Sequence, residues 1–459
     1  MTTATTTSIE QQDELAHFQA LARQRAGDGP GWLRGLREQA IKDLARLGLP
    51  VRKDEEWRYT DPAPLTRTRY TLSDGSATVG ASQLEPFAIP NLDADTLVFV
   101  NGRYAPELSH VGKLAQGVVL CPLTEALDTH REALEPLLAT AGEASSAAFT
   151  LLNAATLDDG LFLHVPDGVT LDRPVQVLNV AVGEGGDGGG GGEGGGGLLT
   201  NPRTVIIAGE NSEASVVEQY VSLDDSAYFT NAVTQIDAGA SARLGHYLIE
   251  RESPNAYQLS TLLTTQGRDS DVNSHTVLLG GKLVRNNVNP KLNGPGGHCL
   301  VNGLYLGEAG QHMDNHMRVE HNAAHCDSRQ FYKGVLQGSA KAVFSGRIYV
   351  ERGAQKTDAK QENSNLLLSG DAEATTKPQL EIFADDVKCT HGATVGQIDE
   401  QAVFYLMARG MARYAARALM IYAFAAESLQ RMRLEPVRAM LSQEILARLP
   451  EGDRLASLV

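Results

Sequence analysis

Cysteine is scarce, with four in 459 residues. Cys121, Cys299, Cys326 and Cys389 form no CxxC pair, so neither a disulfide framework nor a closed four-thiolate site is indicated. Positive charge is short as well. Lys and Arg total 40 against 56 Asp and Glu, leaving a net charge of −16 and a pI near 5.2, a poor match for nucleic acid. No window approaches the roughly 18 uninterrupted apolar residues of a membrane span, and the run from Ala418 to Ala426 is too short. The first residues carry no charged-then-apolar leader pattern. A soluble, cytoplasmic protein is the expectation. GxxxxGK[ST], HExxH and GxSxG are all missing, which removes autonomous nucleotide hydrolysis, zincin chemistry and the serine-hydrolase elbow.

What remains is a chain with 42% hydrophobic residues, enough to bury a large core. Residues 1–160 read as mostly helical with a linker. Apolar steps of three and four run from Glu10 to Leu49, and a second helix-like stretch covers Leu123 to Thr140. "VRKDEEWRYTD", Val51 to Asp61, reads as a docking or linker segment, and Thr96 to Val100 as a strand. Residues 161–397 change character to short β-branched runs separated by Gly, Asp, Asn and Ser. Gly209, Gly239, Gly267, Gly338, Gly353 and Gly370 mark turns at intervals suggesting stacked β units. The pattern alone leaves a parallel β-helix and a β-sandwich or barrel both open. The tract from Gly183 to Gly197 cannot pack a core and reads as a flexible surface insertion. Residues 398–459 read as three helices, the first capped by Asp399 and stopped by Gly410, the third opened by Pro436.

Two constellations could carry chemistry. In "KCTHGATVG", Cys389 and His391 lie two apart, so in a strand they share a face. They fit two ordinary side chains, two ligands of a metal or cluster completed elsewhere, or a nucleophile with its base. In "QHMDNHMRVEHNAAHC", His312, Asp314 and His316 would share one face and Met313, Met317 and Val319 the other. A hydrogen-bonded polar face is preferred there over a metal site. The same holds for His321, His325 and Cys326.

The block from Asp327 to Met411, which ends in "KCTHGATVGQID", resembles the SufB/SufD family of iron–sulfur cluster assembly scaffolds. "LPVRKDEEWRYTD" and the Cys-x-His ending resemble its SufD branch. The resemblance implies a mainly β fold, a right-handed parallel β-helix flanked by N-terminal and C-terminal helical regions. It implies a non-catalytic scaffold with two partners, a SufC-like ABC ATPase that hydrolyses ATP and a SufB-like paralogue. A homodimer is implied when those partners are missing. By motif position, His391 with Cys389 would sit at the paralogue interface and help form the nascent cluster. The isolated chain would hold no stable cofactor, only transient iron or cluster within the complex. The ATPase would dock around Phe404, Tyr405, Leu406 and Arg409. Two rival functions are a SufB-type scaffold holding the cluster itself and, remotely, a β-helix enzyme acting on polysaccharide through Asp385 and Asp386.

Overall fold

The computed structural model describes residues 9–140, 147–184 and 197–449. The glycine tract therefore lies almost wholly outside the described residues. From Arg203 onward each β run pairs in parallel with a run one coil further along, not with its neighbour in sequence. Tyr257 pairs with Leu283, Leu283 with His312 and His312 with Lys341, so each coil takes about 30 residues, the signature of a solenoid. Stacking of this kind builds a parallel β-solenoid of about seven turns. The β-helix alternative is thus the one adopted.

Two long sheets form its walls. The first runs from Leu161–Val165 through Arg203–Ala208, Tyr228–Ala238, Tyr257–Gln266, Leu283–Leu292, His312–His321 and Lys341–Val350 to Glu373–Ile382. The second runs from Asp95–Val100 through Val175–Ala181, Glu213–Ser222, Arg243–Arg251, Asp271–Leu278, His298–Gly307, Asp327–Leu336 and Asp358–Leu367 to Lys388–Gly396. Strands Asp95–Val100 and Val119–Pro122, inside the mostly helical 1–160 stretch, are members of these sheets. The interior is filled by columns of residues in matching register. Ala214, Leu244, Val272 and Cys299 form one such column, and all four are buried in the central core. At one corner the turn glycines stack. A Cβ on Gly239 would come within 3.0 Å of the backbone of Gly209, and one on Gly267 within 3.0 Å of Gly239, so only glycine allows the coils to approach this closely.

Helices cover the outer faces. Ile9–Arg25, Gly31–Leu47 and Ala147–Thr156 pack Phe18, Leu44, Phe149 and Leu152 against Phe229, Leu259 and Leu283 of the first sheet. Ala147–Thr156 is mostly apolar and buried on nearly every side, and its polar members are hydrogen-bonded, Asn153 Nδ2 donating to the carbonyls of Pro202 and Asn231. The helical stretch from Glu10 to Leu49 divides at residues 26–30, where Gly27, Gly29 at φ 76° and Pro30 end one helix and open the next. Leu123 to Thr140 likewise divides into Leu123–Thr129 and Arg131–Leu138. His130 leaves helical geometry between them, and the Thr129 hydroxyl donates back to the Glu125 carbonyl.

At the other end, Glu400–Ala408 is capped by Asp399, whose carboxylate accepts from the backbone N–H of Gln401 and Ala402. Gly410 follows at φ 94°, as a helix stop requires. Arg413–Leu429 and Glu435–Arg448 bury Ile421, Ala425, Leu429, Leu441 and Ile445 on Val217, Ile249, Val277, Leu304 and Val335 of the second sheet. The excess apolarity of the stretch from Arg413 to Met432 is therefore explained by packing on the β core. No helix among the described residues is long and apolar enough to cross a membrane.

Candidate functional site

The histidine-rich strand His312–His321 sorts by alternation as its sequence demands. Met313, Met317 and Val319 are buried in the core. His312, Asp314 and His316 face outward onto the segment carrying Glu56, Trp57 and Thr60. Thr60 Oγ1 lies 2.8 Å from His312 Nε2 and donates to Asp314. Arg285 Nη1 reaches Asp314 Oδ2 at 2.7 Å, and its guanidinium stacks 4.0 Å over the Trp57 ring. His316 stands 3.3 Å from Glu56 and 3.2 Å from Asp314. Burial alone would raise the Asp314 carboxyl, but His316 and Arg285 overrule it and hold it well below the usual carboxylate range. This face is a clamp for the "DEEWRYT" segment, in line with the hydrogen-bonded reading of these histidines. His321 points inward, with Nε2 2.8 Å from Ser328 Oγ, and Cys326 Sγ lies 3.3 Å from the Gly294 carbonyl. Among the described residues no group of three or more His, Cys, Asp or Glu side chains could hold a metal ion.

Cys389 and His391 occupy a different setting. Lys388–Gly396 is the last strand of the second sheet, paired on one side with Asp358–Leu367 and open on the other. Cys389 sits in register with Ala359, and His391 with Gln361, both interior residues. The thiol and imidazole therefore face inward at the open end of the solenoid, where the following coil would lie. Cys389 packs beside Ile348, Val350 and Ala384 and is half-buried, whereas His391 is exposed. Below His391, Gln361 Nε2 donates to Gln330 Oε1 at 2.6 Å. Burial pushes the Cys389 thiol up, and does the same to the three other cysteines, Cys121 to about 11. Those three are buried, so Cys389 is the one thiol with appreciable solvent exposure.

The exposed apolar surface gathers nearby. Seven of the ten exposed large apolar side chains among the described residues fall between Ile382 and Tyr414, so the exposed apolar surface is concentrated at this end rather than scattered. Phe404 is 70% exposed and Tyr405 57%, while Leu406 is half-buried and Arg409 stacks 4.5 Å over the Tyr405 ring. Only Val403 of this helix is buried. Ile382, Phe383 and Val395 belong to the same surface and were not singled out in the sequence. The alternation in "QLEIF" signals an outward Phe383 only once it is known that no further coil covers it. Asp385 and Asp386 form no paired acid and base, since Asp386 is ion-paired with Lys356.

The fold is a parallel β-solenoid whose final coil is uncovered and carries exposed apolar side chains. Two family models match the chain: "SUF system FeS cluster assembly, SufBD core domain" over residues 192–424 and "SufBD protein N-terminal region" over residues 12–177. The chain is 33% identical over 417 residues to the iron–sulfur cluster assembly protein SufD of Escherichia coli, covering 91% of this chain and 93% of that one. It is 30% identical over 455 residues to the SufBD family protein slr0076 of Synechocystis, covering 97% and 98%. SufD of Bacillus subtilis is 27% identical over 421 residues, with 90% and 93% covered. The chain belongs to the SufB/SufD family, on its SufD side, and its role lies in iron–sulfur cluster assembly by the SUF system.

Proposed function

We propose that this chain is a non-catalytic, cytoplasmic scaffold subunit that works with a SufB-like paralogue and a SufC-like ABC ATPase. Cys389 and His391 contribute to a nascent-cluster site that the paralogue completes. The observation that carries this reading is their position, side by side on the inward face of the last, uncovered coil. A thiolate and an imidazole both suit iron, and two donors are too few for a closed site, so the remaining ligands come from the covering partner. Iron or cluster is cargo here, passing through the complex rather than residing in the isolated chain. The ATPase docks on Phe404, Tyr405, Leu406 and Arg409, a short helix with almost no burial of its own.

The SufB-type reading, in which this chain holds the cluster alone, is less well supported because three of the four thiols are buried. Isolated from its partners, the chain would cover its final coil with a second copy of itself.

Co-expression with both partners tests the assembly. Wild type should co-purify with both, Phe404→Glu should lose the ATPase and keep the paralogue, and Val395→Glu should do the reverse. Retention of both partners by both folded variants would refute this placement of the docking surfaces.

A further inference from the structure

Far from the open end, near the start of the solenoid, lies a cavity of about 10 Å³ lined by Asn179, Thr200, Thr230 and Glu252, room for one water molecule or one ion. Four elements converge on it. Asn179 comes from Val175–Ala181, Thr200 from Gly197–Thr200, Thr230 from Tyr228–Ala238, and Glu252 directly follows Arg243–Arg251. Glu252 is only 5% exposed. Its Oε1 accepts from Thr230 Oγ1 at 2.7 Å, and its Oε2 has no hydrogen-bond partner in the protein. Asn179 is 9% exposed, and neither its Oδ1 nor its Nδ2 has a partner.

The charge balance is equally incomplete. Glu250 lies close by, with one oxygen accepting from the Glu252 N–H at 2.7 Å and the other from the Gly280 N–H at 2.9 Å. Two carboxylates are therefore buried together; Arg448 acts on Glu250 from a distance, and no ion pair reaches Glu252 among the described residues. The Tyr228 hydroxyl, which pairs with Ser222, also lies near Glu252 but brings no charge.

We propose that this cavity is a binding site for a single hard divalent cation, held by Glu252 Oε2, the Asn179 carbonyl oxygen and the hydroxyl oxygens of Thr200 and Thr230. All the available donors are oxygen, the ligand set that magnesium and calcium take and softer ions do not prefer. A water molecule brings no charge to Glu252, whereas a cation ligates the unpartnered oxygens and supplies the counter-charge. The site ties the strands on either side of the glycine tract to the following coil, so its role is to hold the early coils together.

Calorimetric titration of the chelator-treated full chain with MgCl2 and, separately, CaCl2 at physiological ionic strength tests the site. Wild type should bind at least one of these ions at one per chain. Glu252→Gln should bind it more weakly by at least about tenfold, the lower end of what losing even an outer partner costs a metal site. Asn179→Asp, which adds a second carboxylate, should bind it more tightly. Failure of wild type to bind either ion stoichiometrically would mean that water fills the cavity and would overturn the proposal. So would unchanged affinity in Glu252→Gln or, should that variant not fold, in Asn179→Asp.

Discussion

The guanidinium of Arg285 stacks 4.0 Å over the ring of Trp57 and, through Nη1, donates to the carboxylate of Asp314 at 2.7 Å. Trp57 belongs to the N-terminal segment and Arg285 to the middle of the solenoid. This one side chain therefore fastens the N-terminal region to the β core. Arg285 and Asp314 are both fully buried. Removing one member of a buried pair leaves the other uncompensated, at a cost of about 3–5 kcal/mol. Arg285→Ala should therefore shift the urea midpoint strongly downward, and Trp57→Ala should do so as well.

The same cluster sets an acid limit. Asp314 has its carboxyl depressed in the folded state, so its stabilisation is present above the unfolded value of about 3.9 and is lost as pH falls through the lower folded value. Denaturation curves of wild type and Asp314→Asn should converge as pH drops below about 4 and diverge above it. Parallel curves would contradict the assignment.

Glu250 works in the opposite direction. Burial raises its carboxyl to about 7, so the folded chain binds a proton that the unfolded chain releases above about 4.3. Stability from this group is present at pH 4 and is lost as pH rises through 7. In chelator-containing buffer, Glu250→Gln should flatten the loss of stability between pH 5 and 8 that wild type shows.

Close coil contact predicts a sharp contrast between two glycines. A Cβ on Gly294 would come 2.1 Å from the backbone nitrogen of Arg268, whereas one on Gly353 meets nothing within 4 Å. Gly294→Ala should destabilise the chain by more than about 2 kcal/mol, and Gly353→Ala should lie within about 0.5 kcal/mol of wild type.

Thiol accessibility offers a test of the open end. In the native isolated chain a maleimide should label Cys389 alone, and slowly, because burial raises its thiol. The other three should react only after unfolding. Addition of the paralogue should protect Cys389.

Much of this arrangement could be read from the sequence, and the remainder has a physical reason for being hidden. Alternation put His312, Asp314 and His316 on one face and the two methionines on the other, and it put Cys389 beside His391. It could not name Trp57 and Thr60 as the partners, because Thr60 and Asp314 are 254 residues apart. The solenoid could not be separated from a sandwich by pattern, since strands packed on both faces lose the period of two; the family resemblance supplied it. Glu218, Glu250 and Glu252 also escaped notice. A lone carboxylate in a β run reads as solvent-facing, yet Glu218 is fully buried, with His246, Thr204, Thr234 and Tyr220 around it.

The central claim is that Cys389 and His391 form a cluster-building site shared with a covering partner. Iron and acid-labile sulfide should be measured anaerobically on the complex with the SufB-like and SufC-like partners, comparing wild type with Cys389→Ala/His391→Ala. The account predicts an intact complex that has lost its cluster. Wild-type iron and sulfide in the double variant would contradict it and would leave "KCTHGATVG" as interface architecture alone.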